Sequence, residues 1–258
     1  MKALSSIILL FFLLIPVTII GQDPRSKIFG PLMDGSEKSN ESLIRQGWIY
    51  LFDSRIPSIS QTIKWNPMNL WRLRKIDAES SDCWSVIEED GQRVLKNIIP
   101  EGKHGTDLIT LQEFRDFDIH MEVHAIANSG LYLRGRYEIQ IMSNKPDETN
   151  LSAGMMGGIY SVSAPSKNAC KEPGEWQTID ASIRGYKITV YLNGVLIQDN
   201  VEIPEGKKRI GTGTELGCWL SDGFSNDPEI PGPIMIQGNH GQIDVRNVRI
   251  LTHPVVSK

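Results

Sequence analysis

From Gly47 onward, apolar residues recur with period two in short runs separated by clusters of Gly, Pro, Asn and Asp, and few segments show helical spacing. Such a pattern predicts an all-β chain. Strands are expected at 48–53, 84–88, 93–97, 108–110, 117–127, 130–142, 176–184, 187–192, 195–200, 234–237 and 243–251. The strongest local signal is Lys187-Ile-Thr-Val-Tyr-Leu192, then Asn193-Gly194, then Val195-Leu-Ile197. Asn-Gly supplies the positive φ angles of a type I′ turn, so these two runs form a hairpin. With no internal repeat, so many strands in roughly 200 residues imply a two-sheet sandwich rather than a propeller or solenoid.

The most informative stretch is Asn128 to Ile141. Leu131, Leu133, Ile139 and Ile141 form one apolar set, and Tyr132, Arg134, Glu138 and Gln140 fall on the alternate face. One face builds a core and the other has the make-up of a site. Gly135 reads either as a bend in one long strand or as part of an odd-length hairpin loop that sets Arg134 opposite Glu138 and Tyr132 opposite Gln140. A two-residue Gly-Arg turn would set Leu133 against Glu138 and break the pattern. In Phe117 to Ala127, Asp118, His120, Glu122 and His124 share one face, and for the two histidines a solvent-facing strand is the default.

Residues 1–21 have the form of a secretion signal: Lys2, the apolar run Ala3 to Leu14, Pro16, and a small residue, Gly21, before the expected cleavage. A retained membrane anchor is the alternative. Export to the periplasm or beyond is therefore expected, with no later membrane span. Residues 22–46 suit a linker and 47–253 one folded domain. Loss of Lys2 with the signal moves the formal net charge from −4 to −5, which argues against nucleic acid or an anionic membrane as partner. Cys83, Cys170 and Cys218 have no metal-type spacing; they allow one disulfide and a spare thiol, or three buried small side chains.

Eight segments taken in order resemble the 3-keto-disaccharide hydrolase family over residues 47–252. They are Gly47-Trp-Ile-Tyr-Leu-Phe-Asp53, Asp107-Leu-Ile-Thr110, Glu113-Phe-Arg-Asp-Phe-Asp118, Asn128 to Gln140, Gly158-Ile-Tyr160, Pro173-Gly-Glu-Trp176, Leu192-Asn-Gly-Val195, and Gly232-Pro-Ile-Met-Ile-Gln237 with His240-Gly241. The chain departs from the pattern after Asp53, where Ser54-Arg55 and a longer run to Trp65 stand, and in the long Lys207 to Ile230 segment, expected to cover the site and set substrate size.

The resemblance implies a jelly roll of the concanavalin A-like type, acting on sugars oxidised at C3. It implies either cleavage of a 3-keto-glycoside or hydration of the eliminated product. A ketone at C3 acidifies the C2 proton, a base removes it, charge builds on the ketone oxygen, and the C1 substituent leaves before water adds back. Glu138 and Glu122 are the candidate bases, His240 a competing acid or base, and Arg134 the candidate oxyanion partner. Arg134 beside Glu138 would keep that carboxyl ionised. Asn128, Gln140 and Gln237 can bind hydroxyls; Tyr132, Tyr160 and Trp176 can stack on a ring.

Each has a structural alternative: a cross-strand Arg134–Glu138 ion pair, a core Trp176 or Tyr160, a loop His240, a Gln237 that only satisfies backbone. A divalent metal is a candidate cofactor, with Glu122, Glu138 and His240 as ligands from distant strands or the Asp222–Asp227 loop as an oxygen donor. A non-catalytic lectin-like module on the same fold is the main functional alternative, and a scaffold in a cell-surface glycan complex the third.

Overall fold

The computed structural model describes residues 46–54, 70–74, 77–203, 227 and 229–253. Among them there is no helix, and thirteen strands form two antiparallel sheets stacked as a jelly-roll sandwich. The strands are β1 (Ile49–Phe52), β2 (Trp71–Arg74), β3 (Trp84–Glu89), β4 (Gln92–Asn97), β5 (Asp107–Phe114), β6 (Phe117–Ala125), β7 (Ser129–Leu133), β8 (Tyr137–Ile141), β9 (Gln177–Arg184), β10 (Lys187–Leu192), β11 (Val195–Glu202), β12 (Gly232–Ile236) and β13 (Ile243–Thr252).

The larger sheet has the order β11-β10-β9-β6-β13-β4-β3, with β1 also on β13. The smaller sheet is β2-β5-β12-β7-β8. Alternation sends one side of each sheet inward, and Ile119, Met121 and Val123 of β6 meet Leu131, Leu133, Ile139 and Ile141 of β7 and β8 in one core. Full burial of each such side chain contributes roughly 1.5–3 kcal/mol.

The expected type I′ hairpin is present: Leu192 pairs with Val195, and Asn193 and Gly194 have φ of 50° and 83°. Asn193 also ties neighbouring segments together, its amide donating to Ala169 O while its Oδ1 accepts from Thr178 N–H. Cys83 and Cys170 are free thiols, and Cys83 is buried against Thr106. The Cys218 thiol, the signal and linker segments, the run from Arg55 to Asn69, and nearly all of the Lys207–Ile230 segment lie outside the described residues.

Residues 130–142 are a hairpin, and its register corrects one expectation. Leu133 pairs with Tyr137, Tyr132 with Glu138 and Gly130 with Gln140, so the loop is Arg134-Gly-Arg136. Its odd length preserves the face parity but moves Arg134 off the strand. Arg134 and Gly135 both have positive φ, 54° and 62°, and Arg136 N–H closes the turn on Leu133 O at 3.0 Å.

That left-handed backbone turns the Arg134 side chain away from Glu138. Its guanidinium is fully buried and donates to Arg115 O at 2.5 Å, Gly185 O at 3.0 Å and the Asp116 carboxylate at 2.8 Å. It joins the β5–β6 and β9–β10 turns, which span the two sheets. Gly232 answers the same loop, because a Cβ there would lie 2.1 Å from Arg134 O. Arg134 is a clamp, not an oxyanion partner.

Removing one side of a buried charge network leaves its acceptors without donors. Arg134→Met is expected to lower unfolding free energy by about 3 kcal/mol in a urea titration, while activity per folded molecule stays within a few-fold of the parent.

Candidate functional site on the outer face of the small sheet

Register alone assembles a row across the outer face of the five-stranded sheet. Arg72 lies opposite Ile109, Ile109 opposite Met235, Met235 opposite Tyr132 and Tyr132 opposite Glu138. Tyr160 extends the row: Ile159 bridges Ile139, and Tyr160 N–H donates to Glu138 O at 2.9 Å. A second row on that face holds Arg74 opposite Asp107 and Gly130 opposite Gln140. Ile109, Met235 and Tyr132 pack together as a buried floor.

Glu138 is the chemically notable group. It keeps partial exposure, and its carboxyl lies over Gly130, where a Cβ would stand 2.5 Å from Oε1. Gly130 is thus the space the carboxylate occupies. Burial pushes the Glu138 carboxyl up to about 7, against a hydrogen bond from Tyr132 that favours the ion, and the charge of Asp107 adds to the rise. The expectation that an arginine holds Glu138 ionised is therefore reversed.

Around it, Gln237 Nε2 donates to the Tyr132 hydroxyl at 3.3 Å, and Gln237 Oε1 is buried without a hydrogen-bond partner. Gln140 Nε2 donates to Asn128 Oδ1 at 2.6 Å and Ser129 O at 3.0 Å, fixing the start of β7. Asp107 accepts from Gly238 N–H at 3.0 Å and pairs with Arg74 at 2.7 Å. Its own burial pushes it up in spite of both. His240 is exposed in the turn that follows, whose Gly238 and Gly241 carbonyls accept from Asn97 Nδ2.

Two expected members are elsewhere. Glu122 is on β6, in the other sheet, and faces the opposite side of the sandwich. Burial alone would raise it, but hydrogen bonds involving His120, Asn247 and Arg246 outweigh burial and hold it down at about 2. One extra residue in β13 lets both Arg246 and Asn247 reach it, at 2.7 and 2.6 Å. Trp176 stands on that side too, with the Arg246 guanidinium 4.1 Å from its ring centroid and His124 at 5.9 Å. Both are therefore parts of the outer wall.

The wall is closed on itself: Asp118 pairs with Arg184 and His253, Asp180 with His120, and Asp244 with Lys96 and His124. A Glu122–Glu138–His240 metal set is not assembled. Among the described residues no group of three or more His, Cys, Asp or Glu side chains fits a metal ion.

Arg72, Arg74 and Asp107 join the site without having been singled out from sequence. The signal was available in Trp71-Arg-Leu-Arg74, which alternates as the 128–141 stretch does.

A family model described as the 3-keto-alpha-glucoside-1,2-lyase-like domain matches residues 47–251. The chain belongs to that family. Its family is one of glycoside-acting enzymes. No curated protein matches the chain. A candidate glycosyl hydrolase from Parabacteroides distasonis, solved at 1.70 Å, is 18% identical, covers 83% of this chain and 97% of its own, and superposes with a TM-score of 0.56. A second from the same organism is 25% identical over 80% of this chain and 99% of its own, at a TM-score of 0.46. A Bacillus licheniformis β-glucanase is 12% identical, covers 80% and 98%, and scores 0.43.

The Glu138 shift has a stability consequence with a definite sign. Between the ordinary glutamate value of 4.5 and about 7, the folded protein holds a proton that the unfolded chain has released. The stability this group contributes is complete below about 4.5 and is lost as pH rises through 7. Relative to the parent, Glu138→Gln should gain on the order of 3 kcal/mol in denaturant titrations between pH values below 4.5 and above 7. A constant difference across that window would contradict a raised carboxyl.

Proposed function

We propose that the protein cleaves 3-keto-glycosides by elimination across C1–C2 followed by addition of water, with Glu138 as the base that removes the C2 proton. The observation that carries this reading is the Glu138 carboxyl on the outer face, drawn over Gly130 and held up at about 7. A base is most effective when its pKa lies near working pH, because it is then ionised yet still basic. An ordinary surface glutamate would take the proton poorly.

In this scheme the C2–H bonding pair becomes the C1–C2 double bond of the sugar enol system as the aglycone leaves C1 with its electron pair. The ketone makes that proton acidic by spreading charge onto oxygen. Tyr132 supports the carboxylate before transfer, and Gln237, with Asn128 and Gln140 at the start of β7, lines the ring's polar edge. Tyr160 offers its ring from the neighbouring position in the row. His240, three residues beyond Gln237 at the exposed rim, is the proposed proton donor to the leaving oxygen. Arg72 and Arg74 lie on the same face, about four strand spacings or roughly 19 Å from Glu138, where they serve the aglycone side. The apolar run behind Lys2 supports an exported protein.

The test is incubation of the purified protein with a 3-keto-glucoside, with products followed by NMR. Turnover is expected, and Glu138→Gln should reduce it by 10²–10⁴ while leaving sugar binding in place. Binding without turnover in the parent protein would overturn the enzyme reading in favour of a lectin-like module. Gly130→Ala should lower kcat by moving the carboxyl and cost on the order of 1–2 kcal/mol of stability, since its Cβ would lie 2.5 Å from Glu138 Oε1, 2.8 Å from Cγ and 3.0 Å from Cδ. Measuring kcat and the urea midpoint on one preparation checks both.

A further inference from the structure

Gln237 follows the last residue of β12, and its backbone is fixed on both sides: its N–H donates to Gly130 O at 2.9 Å and its carbonyl accepts from Ser129 Oγ at 2.7 Å. The side chain is as constrained, since the residue is only 4% exposed. Its amide nitrogen donates to the Tyr132 hydroxyl, and its amide oxygen has no hydrogen-bond partner. Buried carbonyl oxygens are almost always paired, so one left open beside a reactive carboxyl calls for an explanation.

The direction of the amide follows from proton counting. An ionised Glu138 can only accept, so Tyr132, bonded to it, gives that carboxylate its single hydroxyl proton. The Tyr132 oxygen is then left only as an acceptor, and the group of Gln237 that faces it must be the NH2. Gln237 Oε1 therefore points the other way as an acceptor. Its neighbours on the face are acceptors too: Glu138 over Gly130, and Asp107 at the next position of the β5–β12 register. Asp107 is already taken up by Arg74 and the Gly238 N–H, which leaves the Gln237 amide oxygen as the acceptor without a donor.

We infer that Gln237 is a specificity-determining residue: its Oε1 receives a hydrogen bond from one hydroxyl of the sugar ring, so the site selects neutral sugars carrying that hydroxyl over deoxy or O-alkylated ones. The inference rests on the glycoside reading of this site but does not require the ring to be oxidised. A site built to pair a hydroxyl rejects the analogue that lacks it, because the buried acceptor is then left open.

The experiment titrates the purified protein at about pH 8, where Glu138 is ionised, with methyl α-glucoside and its 2-, 3-, 4- and 6-deoxy analogues. Binding is read by NMR, and turnover of the 3-keto-glucoside is measured beside it. One deoxy analogue should bind roughly ten- to a hundredfold more weakly than its parent. Gln237→Met should weaken the parent glucoside by that same factor and abolish discrimination at that position alone. Tyr132→Phe frees the amide to turn and should shrink the discrimination without removing the Gln237 side chain.

Equal weakening of every analogue by Gln237→Met, or a flat deoxy series in the parent protein, would overturn the assignment and leave Gln237 a structural residue. Hydroxyl discrimination without 3-keto turnover would sink the proposed reaction and leave this inference standing. Turnover with a flat series would do the reverse, and no binding of any sugar would remove both.

Discussion

The hydrogen-bonded register between β7 and β8 is the constraint from which the rest of this molecule follows. A three-residue loop sets Tyr132 beside Glu138 and places the side-chain-free Gly130 where the carboxyl must lie. A loop one residue shorter would send every apolar side chain of β8 to the outside and bring its polar ones into the core. The loop is in turn held by the Arg134 guanidinium, whose three acceptors belong to turns of both sheets. Sandwich assembly thus rests on the same loop that sets the register of the site, although the register itself is held by the β7–β8 pairing.

Glu122 and Glu138 show how far surroundings decide what a carboxyl can do. Both sit on strands, both face away from the common core, and both are largely desolvated. Glu122 has donors on every side and is held at about 2; Glu138 has a single phenolic donor and rises to about 7. The first is an anchor for a bulge in β13, and the second is available to exchange a proton. Counting carboxylates in the sequence gives both equal weight, whereas counting the hydrogen bonds offered to each separates them.

Much of the fold was legible in the chain because its signals are local. Period-two alternation located most strands, and Asn193-Gly194 fixed a hairpin through its backbone preference. β2 escaped notice because four residues carry too short a pattern, and β5 ran past Thr110 because Gln112 and Glu113 hide its continuation. The site was harder to read for a different reason. Alternation says which residues share a face of one strand, but not which sheet the strand joins. β6 and β7 are consecutive yet lie in different sheets, so Glu122 and Glu138 point out of opposite sides of the sandwich. Arg134 was misplaced because a left-handed residue in a turn no longer obeys strand parity. Asp107 and the two arginines of β2 gain meaning only through pairing across strands distant in sequence.

Across the middle of the larger sheet, the outward carboxylates Asp118, Glu122, Asp180 and Asp244 each have a cationic or imidazole neighbour at hydrogen-bond distance. A surface compensated in this way projects little electric field into solution, since opposed charges a few ångströms apart cancel beyond a Debye length of about 8–10 Å. It therefore neither pulls in nor repels approaching solutes by long-range force. For an uncharged glycan, encounter with the molecule is governed by diffusion and shape, and should be nearly indifferent to ionic strength.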